Sequence, residues 1–130
     1  MIKQLINPKG TEFLYEAYQF SQAVKVGNQI WISGQVGMNE KGELGKDISE
    51  QTRIAFENLE YVLKEAGATF DDIVEMTTYH TSMEDIEIFQ KVRSEFIKED
   101  YPAWTAVGVK ALVLPDFLIE IKATVVIQDQ

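Results

Sequence analysis

Phe117-Leu118-Ile119-Glu120-Ile121-Lys122-Ala123-Thr124-Val125-Val126-Ile127 alternates along its whole length. Successive side chains of an extended strand point to opposite faces, so Phe117, Ile119, Ile121, Ala123, Val125 and Ile127 form one wholly apolar face. Leu118, Glu120, Lys122, Thr124 and Val126 form the other, which mixes charge with apolar surface. The stretch predicts a strand of a two-sided sheet, with a dry face against helices and a second face of different character.

Upstream, Leu114-Pro115-Asp116 breaks the chain, and residues 103–112 read as a preceding strand. Matching Thr105, Val107 and Val109 to the core face places Trp104, Ala106, Gly108 and Lys110 beside Glu120. That register is an expectation: Trp104 and Glu120 share the helix-free face. Residues 48–66 space Ile48, Thr52, Ala55, Leu59, Val62 and Ala66 by threes and fours, with Asp47 and Glu50 at the start and Gly67 as the stop, which predicts an amphipathic helix. Residues 73–81 are rich in Thr, Val, Ile and Tyr and read as a strand. Ser82 caps a second helix carrying Ile86, Phe89, Val92 and Phe96, which ends before Pro102. Residues 23–33 read as a hairpin turning at Gly27-Asn28, and residues 37–46 as an extended loop. The order is β-β-α-β-α-β-β, an α+β domain with a mixed sheet and both helices on one face.

The chain has 130 residues, 45% hydrophobic and 25% charged, enough for one core, and no linker divides residues 1–130. It has no cysteine, and the lone His80 supplies no zinc site, so neither a metal nor a cofactor is expected. The net charge of −9 and the scattered basic residues disfavour nucleic acid as a partner. The N-terminus lacks an apolar run behind a basic start and no long apolar span follows, which leads to the expectation of a soluble, unexported, cytoplasmic protein with no membrane partner.

The helix-free face carries Leu, Val, Ala and Trp, and self-association around it is expected, with clefts between subunits. Glu120 among apolar neighbours is either a proton-handling group or half of an ion pair with Lys110 or Lys122. Trp104 either packs an interface or stacks on a ligand. His80 is either an acid–base group or hydrogen-bonded packing, and its facing stays open because Met76 and Thr78 are no more clearly core than Thr77 and Tyr79. Gly34 offers bare backbone to a ligand or merely turns the chain.

The order and spacing of Phe20-Ser21-Gln22-Ala23, Gly27-Asn28, Ser33-Gly34-Gln35-Val36, Gln51-Thr52, Asn58-Leu59, Ala66-Gly67-Ala68, Asp72-Ile73-Val74, the 102–109 segment and Ile119-Glu120-Ile121 resemble the RidA/YjgF family, also labelled endoribonuclease L-PSP. The resemblance covers nearly the whole chain. It implies a chorismate-mutase-like fold, a homotrimer with its sheets around a central barrel, and small-molecule clefts between subunits. It also implies, from the best-known members, hydrolysis of amino-acid enamines and imines to ammonia and a 2-oxo acid.

By the same resemblance, Ser33 and Gly34 line the cleft, Glu120 positions the hydrolytic water, and Phe20 stands where a cleft tyrosine is usual. Trp104 stands where an arginine binds the substrate carboxylate, with Ala106 two positions beyond. An indole offers one neutral N–H in place of a bidentate fork. Losing such a partner costs about 2–5 kcal/mol, or roughly tenfold to several-thousandfold in affinity. The chain is similar in this respect to the YjgH-type branch, which lacks the arginine. The resemblance and the residues together leave three readings. One is a deaminase-type hydrolase of a small imine, enamine or related C–N compound, its substrate altered by Trp104. Another is a non-catalytic trimer binding a small metabolite. The third is an endoribonuclease, which the acidic balance opposes.

Overall fold

A computed structural model describes residues 2–128; Met1, Asp129 and Gln130 lie outside the described residues. The strands are β1 Gln4–Ile6, β2 Ala23–Val26, β3 Gln29–Val36, β4 Ile73–His80, β5 Ala103–Gly108 and β6 Ile119–Val126. The α-helices are α1 Glu12–Tyr18, α2 Ile48–Glu65 and α3 Ile86–Arg93. The strands form one sheet in the order β1-β2-β3-β6-β4-β5, antiparallel throughout except for the parallel β4–β5 pair. This is the mixed α+β architecture expected, with β1 and α1 added at the N-terminal side.

Helix α2 forms where the periodicity places it. Ile48, Thr52, Ala55, Leu59 and Val62 are buried, and the Asp47 side chain accepts the Glu50 N–H at 2.9 Å. At its other end Gly67 takes φ 80°, and the Ala68 N–H reaches back to the Leu63 carbonyl at 2.8 Å. Helix α3 is shorter than its apolar pattern. Ser82 caps a 3₁₀ turn over Met83–Asp85, α3 proper ends at Arg93, and Phe96 lies beyond it, stacked on Phe56 with ring centroids 5.0 Å apart. The β2–β3 hairpin turns at Gly27, whose φ of 59° suits glycine in a two-residue turn.

The apolar face of β6 is buried as the alternation requires: Ile119, Ile121, Ala123 and Val125 are each at most 1% exposed. They meet Ile30 and Ile32 of β3, Met76 of β4, and Phe56, Leu59, Leu63 and Phe89 from the helices in one core.

The facing expected for residues 103–108 is overturned. β5 lies at the sheet edge and pairs only with β4, Met76 opposite Trp104 and Thr78 opposite Ala106. Met76, Thr78 and His80 are buried on the helix side, so Trp104 and Ala106 turn to the helices while Thr105 and Val107 share the face of Tyr79 and Glu120. The physical reason is size. An indole buries far more apolar surface than Val107 does, and Phe89 stands ready to receive it.

Candidate functional site

Strand β3 breaks register against β6 between Ile32 and Gln35, a bulge holding Ser33 and Gly34. Ser33 is tied down at both ends: its hydroxyl donates to the Ser21 carbonyl at 2.7 Å and its N–H to the Gln22 carbonyl at 2.8 Å. Past the bulge, Gln35 is buried and donates to the Gln22 side-chain oxygen at 3.0 Å. The Gly34 position is filled by a neighbour, because a Cβ there would collide with the carboxylate of Glu120. Glycine at this point lets the β6 acid lie directly over the β3 backbone.

Glu120 sits between Val36 on one side and Tyr79 on the other. Burial raises its pKa above the ordinary carboxyl value. The ion pair with Lys110 or Lys122 that its sequence setting allowed is not formed; the pair present among the described residues is Arg53–Glu95 at 2.9 Å. A half-buried carboxylate without a cation holds its proton to higher pH than a solvated one, a shift in the direction that suits a general acid or base. The acid opens onto a groove of about 1170 Å³ that also takes in Phe20, Ser33, Gly34, Tyr18 and Asn58. Asn58 fixes one wall of this groove by donating to the Val36 and Met38 carbonyls, each at 2.9 Å.

A second cluster lies on the helix side of the sheet. The Trp104 indole N–H donates to the Thr78 hydroxyl at 2.9 Å, and that hydroxyl is 2.7 Å from His80 Nε2. His80 is fully buried, edge-on to Phe89 at 5.1 Å, with Nδ1 lacking a hydrogen-bond partner among the described residues. Burial lowers its pKa, against the smaller opposing pull of Asp85. Phe89 stacks on Trp104 at 5.8 Å, and the Arg93 guanidinium lies 4.4 Å above the Trp104 ring.

The fold finds its counterparts among known proteins. The endoribonuclease L-PSP family model matches residues 11–127. The chain belongs to this RidA/YjgF family. The RutC family protein YjgH of Escherichia coli K12 is 42% identical over 120 residues, 91% of this chain and 92% of its own. A 2-iminobutanoate/2-iminopropanoate deaminase of Dermatophagoides farinae is 33% identical over 111 residues, 84% of this chain and 86% of its own. The solved structure of YjgH superposes with a TM-score of 0.89 at 39% identity and covers the whole of both chains.

Within this RidA/YjgF chain the residues singled out from sequence divide in two. Phe20, Ser33, Gly34 and Glu120 come together at the groove. Trp104, Ala106 and His80 do not join them: they lie on the helix side of β4 and β5, so the shared face expected for Trp104 and Glu120 is corrected. Within the protomer the Trp104 N–H donates to Thr78 and its ring stacks on Phe89. Sequence reading missed Thr78, Phe89 and Arg93 around the indole. Thr78 and His80 are two apart on one strand and so share a face, a signal that becomes readable once Met76 is known to be core.

Proposed function

We propose that this protein is a RidA-like hydrolase of deaminase type, acting on a small imine, enamine or related C–N compound in the Glu120 groove. The observation that carries this reading is the Glu120 carboxylate, half-buried over Gly34 and unpaired with any cation among the described residues. Water adds across the C=N bond, its oxygen forming the C–O bond while Glu120 takes one of its protons. Glu120 passes that proton to the nitrogen, giving a carbinolamine, then takes the hydroxyl proton and delivers it to the same nitrogen as the C=O bond forms and the C–N bond breaks, leaving ammonia and the carbonyl compound. The relative named as a 2-iminobutanoate/2-iminopropanoate deaminase supports this reaction class. With Trp104 turned to the core, the groove lacks the arginine that the family resemblance leads one to expect, and the substrate differs accordingly. The working unit is a homotrimer associated through the helix-free face, where Leu5 and Trp31 are both more than two-fifths exposed.

The test is ammonia release from imines made in situ, those of amino acids by an amino-acid oxidase and carboxylate-free ones by an amine oxidase. Acceleration is expected for at least one class, with 2-aminoacrylate-type imino acids turned over weakly. No acceleration of any of them, with ligand binding intact, would leave a metabolite-binding trimer in its place.

A further inference from the structure

Acids outnumber Lys and Arg by 21 to 12 in this chain, yet Arg93 makes no ion pair or hydrogen bond with the described residues. Glu95, two positions on, is drawn away by Arg53, which holds it in a two-pronged contact at 2.9 and 3.4 Å. The Arg93 guanidinium instead lies on the Trp104 indole, 4.4 Å above its ring, and 5.9 Å from the centre of Phe89. That platform is fixed in place, because the indole N–H is committed to Thr78 and Phe89 stacks on its ring. Tyr101 stands close enough to act on the guanidinium charge, with its own hydroxyl donating to the Lys98 carbonyl at 3.1 Å. A guanidinium carries five N–H donors in one plane, and stacking on an aromatic face uses none of them.

We propose that Arg93, held over the Trp104 ring at the β5 edge, binds a small monoanionic carboxylate through its free N–H groups. One feature favours a carboxylate over a phosphate, and a second favours an anion of either kind. One guanidinium balances one negative charge, and a dianion would carry its surplus charge into a surface of net charge −9. Half-burial of the guanidinium opposes its charge, a cost that a paired anion relieves. Arg93 and its Trp104 platform are not among the residues lining the Glu120 groove, and the Trp104 and Glu120 side chains lie on opposite faces of the protomer's sheet.

The experiment titrates the full chain, labelled with nitrogen-15, with sodium 2-oxobutanoate, inorganic phosphate or the neutral ketone 2-butanone. The reporter is the Trp104 indole N–H resonance, identified by its loss in Trp104→Phe, with the Trp31 indole as internal reference. A saturable shift of the Trp104 signal is expected with 2-oxobutanoate and none with 2-butanone. Arg93→Met keeps a stem able to lie on the indole but removes the fork, and should weaken binding about tenfold or more. Arg93→Lys keeps the charge without the fork and should fall between the two. Glu120→Gln should bind as the native chain does, which separates this site from the proposed hydrolase. Undiminished binding by Arg93→Met, equal binding of the ketone, tighter binding of phosphate, absence of any shift, or loss confined to Glu120→Gln would each overturn the assignment.

Discussion

Glu120→Gln should raise stability at neutral pH while removing activity, because one carboxylate bears both effects. Burial raises the Glu120 pKa, so the folded protein holds this proton more tightly than the unfolded chain does. The contribution to stability is fully present below the unfolded value of about pH 4.3 and is lost as pH rises through the folded value. Glutamine keeps the shape and carries no charge, so the variant should match the native chain in acid and exceed it at pH 7. Glu120 is half-exposed and water screens it, which keeps the gain below about 1 kcal/mol, or roughly 3 °C in Tm. Proton transfer by a placed carboxylate contributes about 10²–10⁴-fold, so kcat should fall by that factor, about 3–5 kcal/mol of barrier. The native kcat/KM should climb with pH above the ordinary carboxylate range, where Glu120 becomes the base.

Thermal unfolding at pH 4 and pH 7 and kinetics on one preparation read both effects. Gly34→Ala supplies the companion measurement: its Cβ would displace the Glu120 carboxylate, so activity should fall similarly although the acid remains. The double variant should lose little beyond either single one, the mark of two changes acting on one group. A Glu120→Gln protein that is less stable at pH 7 and fully active would refute the reasoning.

Three other outcomes are expected. His80 is the chain's one histidine and burial lowers its pKa, so the unfolded chain takes up the proton first and stability should fall as pH drops below about 6.5; urea unfolding between pH 7.5 and 5.5 should show this slope, and His80→Leu should abolish it. Gln51 is 2% exposed and bonds the Gly45 and Asp116 carbonyls and the Leu118 N–H at 3.2, 3.0 and 2.9 Å; Gln51→Leu strands all three and should cost about 2–4 kcal/mol by denaturant titration, whereas a loss under 0.5 kcal/mol would show the loops are held by other means. Sedimentation should give three protomers for the native chain and one for Trp31→Glu, which places a charge on an apolar patch shared with Leu5 and Val24; a native monomer would end the trimer reading.

Legibility varied along the chain for physical reasons. The Asp47 cap, the α2 stripe and the Gly67 stop are local signals, and each appears where the spacing puts it. Strand β1 and helix α1 went unread: β1 has 3 residues, and α1 has 7 with none buried, too short for a period to emerge. Within the site, Phe20, Ser33, Gly34 and Glu120 gather at one groove, whereas Trp104, Ala106 and His80 lie elsewhere. Alternation in the 103–108 segment separates Trp104 and Ala106 from Thr105 and Val107, but it does not say which pair is inside, because both contain apolar groups.

From sequence alone, then, came the elements that local chemistry specifies: the two-sided β6, the capped α2, the hairpin at Gly27-Asn28, and the acid on the face opposite the core of β6. Tertiary structure alone decided what depends on a partner distant in sequence. The parallel register of β5 against β4 turned Trp104 toward Phe89, and the bulge in β3 brought Gly34 beneath Glu120. A strand's period divides its residues into two sets without naming the buried one; that choice follows from the surface each set finds across the sheet, which a local pattern does not encode.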